Sequence, residues 1–314
     1  MRRCLVAGLA LAAALGAAGC GFGAGPSAGS GAELAVTRDY GHRLLDDARV
    51  AHVHQSDTVM RFVEATHRVT TRYGGGFVQS IDGLAGDRAA QRDWFFYVNG
   101  IESSLGAADF NLSGGDRVQW DYHPWRATMR IPAIVGAYPE PFVHGYRGRR
   151  LPARVECERP GSAACRDVLR RLQSAGVTAT AAGFGSTTGS QLARVLVGRW
   201  SAVRRLGVAT PLSQGPASSG VFARFTGGAG GRGQVRLELL ATNGRVARVA
   251  PPGTGLVAAR ATEDQAATWL VTGVDDRGVQ RAASALSQST LRFAFAVVAT
   301  PTGIVRLPVI PAGG

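Results

Sequence analysis

The stretch WFFYVNG, residues 94–100, decides the fold of the first half of the chain. Four aromatic residues and a valine in succession favour a β-strand, and the Asn-Gly pair that follows them is a strong hairpin-turn signal. Further strands are predicted on either side of this hairpin, at residues 33–40, 48–54, 77–81 and 118–122. We therefore expect a sheet built around the aromatic strand.

One helix is predicted among these strands. Val59, Phe62 and Val63 recur at helical spacing, and Ser56 or Asp57 precedes them as a candidate N-cap. A single helix among several strands is an α+β pattern of grasp type.

The aromatic strand has two faces that need separate explanations. Trp94, Phe96 and Val98 point to one side, and Phe95 and Tyr97 point to the other. One side must build the core. The second side either forms an outward platform for a macrocycle, a base or a peptide, or it is covered by another part of the chain. Both alternatives are consistent with the sequence.

The composition excludes several kinds of chemistry. The 314 residues include 35 basic and 22 acidic side chains, and every basic residue is arginine. Without lysine the chain cannot form a Schiff base or supply the lysine of a P-loop. Because the arginine excess accompanies abundant alanine and glycine, part of the formal charge of +13 reflects codon bias. Nucleic acid is not an expected partner.

The charge is distributed unevenly along the chain. Residues 21–130 contain 11 Arg against 13 acidic residues, whereas residues 131–314 contain 22 Arg against 9. This asymmetry predicts two domains, at residues 33–130 and 153–314. The proline-rich stretch at residues 131–152 is predicted to be the linker between them.

The second domain is also predicted to be α+β. Helices are expected at residues 164–174, where Gly176 ends the helix, and at residues 277–286. Strands are expected at residues 154–157, 191–200, 221–225, 235–240, 245–249, 256–260, 268–274 and 291–298. No internal repeat is apparent in the sequence.

The N-terminus predicts export from the cytoplasm. Two arginines precede an apolar run at residues 5–18, which is too short to span a bilayer and is typical of a signal peptide at residues 1–19. The sequence Ala17-Ala18-Gly19-Cys20 resembles a bacterial lipobox, which implies acylation of Cys20 and anchoring to the outer face of the cell membrane. The alternative is a plain secretory signal with an incidental cysteine. Residues 20–32 are predicted to be a flexible tether.

Several consecutive blocks between residues 57 and 122 carry a family resemblance. They are Asp57-Thr58-Val59, residues 76–84, residues 94–102, Leu105-Gly106-Ala107 and residues 114–118. Their order is similar to that of the C-terminal domain of transcobalamin and intrinsic factor, and more closely to that of a related bacterial family of uncharacterised domains. The resemblance covers about a fifth of the chain and implies a β-grasp-like fold.

The resemblance also implies a ligand and a site. In transcobalamin-like proteins this domain closes over cobalamin opposite a helical barrel, and no such barrel is evident in this sequence. The ligand-facing parts of the family match Phe77 and Val78, the strand residue Trp94, and Leu105 and Gly106. Together with Tyr97 of the aromatic strand, these residues form the predicted binding site for cobalamin or another bulky planar ligand.

The remaining cysteines and histidines allow two further predictions. Cys157 and Cys165 should form a disulfide in an oxidising compartment, since Cys4 leaves with the signal peptide and Cys20 is used for the anchor. His52 and His54 share one face of a predicted strand and could bind a metal together with His42 or His67. Exposed edge histidines explain the same pattern, so no metal site and no required cofactor are predicted.

These features predict a membrane-anchored, extracytoplasmic binding protein that is not an enzyme. No arrangement of nucleophile and base supports an envelope hydrolase. The family resemblance implies uptake of the ligand through a membrane transporter. The alternative function is a cell-envelope interaction module that binds an anionic polymer or a protein through its arginine-rich second half.

Overall fold

The computed structural model describes residues 31–186, 191–228, 234–261 and 267–310. The predicted signal peptide, Cys20 and tether residues 20–30 lie outside the described residues. Among the residues that are described, no helix has both the length and the hydropathy needed to cross a membrane.

The first half contains a five-stranded sheet, in the order β2-β1-β8-β6-β7. Its strands are β1 (Ala32–Arg38), β2 (Arg43–Val50), β6 (Arg92–Val98), β7 (Ile101–Glu102) and β8 (Arg117–Pro124). β1 runs parallel to β8, and every other neighbouring pair is antiparallel. The predicted Asn-Gly turn joins β6 to β7, with a left-handed backbone at both Asn99 and Gly100.

A helix and a small second sheet cover one face of this sheet. Helix α1 (Val59–Glu64) begins after the N-cap Thr58, and the small sheet contains β3 (Val69–Arg72), β4 (Phe77–Ile81) and β5 (Leu84–Ala85). The helix buries the predicted apolar face together with Met60. The N-cap is one residue later than predicted, because the Thr58 hydroxyl accepts the hydrogen bond from the Arg61 amide.

The second half is built on a seven-stranded sheet, in the order β10-β9-β11-β16-β15-β17-β18. Its strands are β9 (Ala153–Cys157), β10 (Ala179–Gly183), β11 (Ala193–Arg199), β15 (Gly255–Arg260), β16 (Thr268–Gly273), β17 (Ala296–Thr300) and β18 (Gly303–Leu307). β9, β10, β11 and β16 are parallel, and the other three strands are antiparallel to their neighbours.

Both faces of this sheet are covered, which explains its nearly continuous apolar strands. Helices α2 (Ala163–Ser174) and α5 (Asp276–Ser284) cover one face. The other face carries the antiparallel sheet of β12 (Ala223–Thr226), β13 (Arg236–Leu240) and β14 (Val246–Val249), with the short helices α3 (Trp200–Val203) and α4 (Pro216–Ser219). One further short helix, α6 (Gln288–Leu291), precedes β17.

The segment predicted as a linker lies between the two halves and is largely buried. Ile131 and Ile134 belong to the core beneath the three-stranded sheet, whereas Val135, Tyr138 and Phe142 belong to the core beneath α2 and α5. Apolar residues therefore alternate with the prolines that favoured a linker, and they pack against the second half of the chain.

The mixed α and β composition of the chain agrees with the prediction, and most predicted elements are present. Two strands are displaced. β2 ends at Val50 and not at His54, and β17 starts at Ala296 because Ser287 caps the short helix α6 in front of it. β3, β10 and β18 were not predicted; β10 consists mainly of alanine and glycine, which are uncommon in strands.

The predicted disulfide between Cys157 and Cys165 is confirmed. It joins the end of β9 to the first turn of α2, and the Ser162 hydroxyl caps that turn by accepting from the Cys165 amide. Gly176 ends the helix in a left-handed conformation, as predicted.

Candidate functional site

The structure buries Trp94, one of the predicted ligand-binding residues. Its ring lies between the five-stranded sheet and the small sheet, and its indole N–H donates to the Leu84 carbonyl over 2.8 Å. It also packs against Tyr122, with ring centroids 5.3 Å apart. Trp94 therefore attaches the β3–β5 sheet to the main sheet and is not exposed to a ligand.

Tyr97 is buried on the opposite face of β6, where the two halves of the chain meet. Its ring contacts Phe295 of the second half at a centroid distance of 5.3 Å, and burial raises the pKa of its hydroxyl. Both faces of the aromatic strand are thus covered, one by the small sheet and one by the second half. For Trp94 and Tyr97 the structure matches the packing alternative and not the outward platform.

The turn between β3 and β4 places two aromatic rings on the surface. Tyr73 is 84% exposed and Phe77 is 40% exposed. Their ring centroids are 6.3 Å apart, with an angle of 71° between the planes. Tyr73 adopts a left-handed backbone at the start of the turn, which points the chain back towards β4. Val78, the next residue of β4, points the other way and is buried in the core.

A neighbouring loop brings Leu105 and Gly106 to the same end of the first half. The Ser103 hydroxyl holds the loop by donating to the Leu105 carbonyl and accepting from the Leu105 amide, each over 3.0 Å. A Cβ atom at Gly106 would lie 3.5 Å from the carbonyl oxygen of Gly76, so the loop approaches the turn closely.

Tyr73, Phe77, Leu105 and Gly106 together form what we call the aromatic tip. Three of these four residues were predicted as ligand-binding from the sequence, and the structure brings those three together. Tyr73 was missed. Its signal was an aromatic residue directly before three glycines, since such a turn offers little apolar cover for the ring.

A groove lies where the two halves meet, on the side of α2. It has a volume of about 740 Å³, and we call it the junction groove. It is lined by Arg117 of β8, by Tyr138 and Val143 of the segment predicted as a linker, and by Asp167 and Arg171 of α2. Grooves between domains are common ligand sites.

A buried carboxylate organises the contact between the halves. Asp121 accepts hydrogen bonds from the Thr37 hydroxyl at 2.6 Å and from the backbone amides of Tyr40 and Gly41 at 2.9 and 2.7 Å. One of its oxygens lies 2.8 Å from Nδ1 of His123. A Cβ atom at Gly41 would collide with the Phe293 carbonyl of the second half, so only glycine fits this close approach.

A second buried carboxylate lies directly before β8 of the same sheet, beside the Asn99–Gly100 turn. Asp116 accepts from the Asn99 side-chain amide at 2.7 Å and from the Ser113 amide at 2.8 Å. Burial is the main cause that raises its pKa from the ordinary 3.8 to about 6; Glu140 adds to the increase and His144 opposes it. The same Asn99 amide also donates to the Gly145 carbonyl, which connects this turn to the segment predicted as a linker.

The histidines considered as metal ligands lie apart from one another. His42 contacts the Pro308 carbonyl, His54 contacts Asp57, and His67 contacts Asp82. His52 and His54 follow the end of β2 and are not on a strand. In the part of the chain that the structure describes, no group of three or more His, Cys, Asp or Glu residues is arranged to hold a metal.

The glycine-rich stretch at residues 183–190 is described only up to Ser186. Gly183 ends β10, and the Ser186 hydroxyl donates to the Gly183 carbonyl over 2.7 Å. Residues 187–190, which include three hydroxylated side chains, lie outside the described residues.

One sequence family matches part of this chain, and the solved structures similar to it include two that illustrate the likeness. The model of a domain of unknown function, DUF4430, matches residues 56–124, which run from before α1 to the end of β8. No curated protein matches the chain.

The two structures are similar only at low identity. A protein from Ruminococcus gnavus ATCC 29149, proposed to bind metal, is 13% identical over 30% of this chain and 97% of its own, with a TM-score of 0.25. Haptocorrin in complex with Cbi is 14% identical over 30% of this chain, with a TM-score of 0.25, and the matched region spans a quarter of the haptocorrin chain.

Proposed function

We propose that this protein is a lipid-anchored extracytoplasmic binding protein that holds a bulky planar ligand at its aromatic tip. The observation that carries this proposal is the pair of exposed rings, Tyr73 and Phe77, beside the Leu105–Gly106 loop. Exposed aromatic rings at the end of a small sheet are costly in water unless a partner covers them. The role is binding, and no bond-making step is assigned.

The first half is proposed to be a β-grasp-like domain. The strand order β2-β1-β8-β6-β7, the central parallel pair and the helix across one face support this assignment. The resemblance of residues 57–122 to the transcobalamin C-terminal domain makes cobalamin the first ligand to test. The described helices have 4 to 12 residues, and the described part of the second half is built on sheets and not on a helical barrel.

Calorimetric titration of the detergent-purified full chain with cyanocobalamin, and separately with hemin, tests the site. We expect saturable heat with at least one of these macrocycles and a roughly tenfold weaker affinity when Tyr73 and Phe77 are both replaced by Ala, because each ring contact contributes about 0.5–1.5 kcal/mol. Ile304→Ala, an exposed apolar residue of the second half, is the matched control. Absence of heat with both macrocycles, or equal affinity in the double variant, would contradict binding at the tip.

The membrane anchor is a separate part of the proposal and has its own test. It is supported by the basic start, the apolar run and the lipobox-like residues 17–20. We expect radiolabelled palmitate to enter the wild-type product in the bacterial host and not the Cys20→Ser variant. The Cys157→Ser variant controls for the loss of a cysteine. Equal labelling of wild type and Cys20→Ser would contradict a lipid anchor at Cys20.

A second candidate function is contact with an anionic polymer of the cell envelope. It is favoured by β14, whose residues Val246–Val249 are all exposed and include Arg248, and by the exposed Arg245 directly before the strand. Retention on purified cell-wall material that disappears at high salt, and that weakens in the Arg245→Gln, Arg248→Gln double variant, would support it, because salt screens contacts between exposed charges. Retention unaffected by salt would exclude it.

A further inference from the structure

The junction groove has walls from both halves of the chain. Arg117 comes from β8 of the first half, and Arg170 and Arg171 come from α2 of the second. Tyr138 lies between them. Its carbonyl accepts from the Arg117 guanidinium at 2.8 Å, and its hydroxyl donates to the Arg171 carbonyl at 3.1 Å. Hydrogen bonds of Tyr138 therefore join the two halves in the groove. Arg117 contacts the carbonyl of Tyr138, and Arg171 contacts its hydroxyl.

The charges that solvent reaches in this groove are positive. The side chains of Arg170 and Arg171 are 71% and 32% exposed, whereas the Asp167 side chain between them is 9% exposed. Glu140, the other acid of the groove, is 1% exposed and lies 2.6 Å from the His144 ring. A ligand in the groove therefore meets guanidinium groups, and the carboxylates lie beneath them.

Two of the arginines are held in place by contacts that leave donors unused. Arg117 donates to the Tyr138 and Ala137 carbonyls from one terminal nitrogen, and its Nε lies 3.5 Å from Glu33. Arg171 is held by Asp167 at 3.2 Å. A guanidinium has five N–H donors, so each of these groups retains N–H groups for a further acceptor. Immobilised guanidinium groups lose little entropy when they bind an oxyanion.

We propose that the junction groove binds a small ligand that carries a carboxylate or phosphate group, with Arg117 on one side and Arg170 and Arg171 on the other. Val143 and Leu286 line the groove and would contact the uncharged part of the ligand. The volume of about 740 Å³ fits a small molecule. This site does not depend on the aromatic tip.

Calorimetry of the detergent-purified full chain at low ionic strength tests the groove, with inorganic pyrophosphate and succinate as the two probes. We expect saturable binding of at least one probe, and the tighter probe distinguishes phosphate from carboxylate chemistry. Arg170→Gln and Arg171→Gln should each weaken binding at least fivefold. Arg205→Gln, an exposed arginine of the second half outside the groove, should leave the affinity unchanged.

The Arg170→Gln variant keeps the test clear of folding effects, because this side chain is mostly exposed. The absence of saturable heat with both probes up to 10 mM, or an equal loss of affinity in Arg205→Gln, would overturn the site. Macrocycle binding at the aromatic tip should be the same in Arg170→Gln and wild type, so failure of one site is distinguishable from failure of the other.

Discussion

The two faces of β8 are both buried, yet they differ completely in chemistry. Val118, Trp120 and Tyr122 pack into the apolar core beneath α1 and the small sheet. Gln119 and Asp121, which alternate with them, are equally buried against the second half but are satisfied by hydrogen bonds. Apolar–polar alternation usually marks a sheet with one solvated face. Here the apolar face packs into the core of the first half, and the polar face makes hydrogen bonds where the first half meets the second.

The apolar face is expected to show the largest effect on stability. Trp94→Ala removes a buried indole and leaves a cavity between the two sheets, so we expect a loss of about 4 kcal/mol in the free energy of unfolding. Urea denaturation followed by circular dichroism measures this loss.

Trp94→Phe is a milder change at the same buried position. It keeps a six-membered ring but loses the five-membered ring and its hydrogen bond to Leu84, so we expect a loss of about 2 kcal/mol. Ligand affinity at the aromatic tip should change little in this variant, since Trp94 holds the small sheet in position without touching the surface. A loss below 1 kcal/mol for Trp94→Ala would contradict the buried position.

The polar face should respond to the loss of charge at one residue. Asp121 accepts from three donors of β1 and the following turn, and an asparagine there would direct its own N–H groups at some of them. We expect Asp121→Asn to lower the free energy of unfolding by about 3 kcal/mol in urea titrations. Thr37→Val, which removes one donor and keeps the shape, should cost about 1 kcal/mol. Equal effects of the two variants would mean that the carboxylate does not organise this contact.

Sequence patterns predicted the features of the fold that neighbouring residues determine. The strand at residues 94–98, the Asn-Gly turn and the helix ended by Gly176 were predicted because local residues determine them. The disulfide followed from the count of cysteines and the expected compartment. Alternation along a strand shows that two faces differ, but it does not show what covers either face. The covering of Tyr97 by the second half therefore required the structure.

The segment predicted as a linker, residues 131–152, shows that the sequence also does not reveal which irregular segments are buried. Four prolines between residues 131 and 152 favoured an exposed connection. The apolar residues among them, such as Val135 and Phe142, are buried because they pack into the core between the seven-stranded sheet and helices α2 and α5. Short irregular segments have no period from which burial can be predicted. For the same reason the sequence did not predict the junction groove or the position of Tyr138 in its lining.

The buried carboxyl of Asp116, directly before β8, should make the stability of the fold depend on pH. Its pKa is raised in the folded state, so the folded protein favours the protonated carboxyl and loses stability as pH rises from about 4 through about 6. We expect wild type to lose roughly 2–3 kcal/mol over this range relative to Asp116→Asn, whose side chain does not ionise. Urea midpoints at pH 4 and pH 7 measure the difference. Asp109→Asn, at an exposed position, is the matched control. The same pH dependence in wild type and Asp116→Asn would show that ionisation of Asp116 does not cause it.

The aromatic tip should show the smallest effect on stability. Tyr73 projects from a turn and is 84% exposed, so Tyr73→Ala should change the free energy of unfolding by less than about 0.5 kcal/mol. The same substitution should weaken macrocycle binding, because it removes one of the two exposed rings while the sheet beneath them stays folded. Urea denaturation and calorimetry together thus distinguish residues that stabilise the domain from residues that bind the ligand. A large loss of stability in Tyr73→Ala, with no change in binding, would place this ring among the structural aromatic residues alongside Trp94.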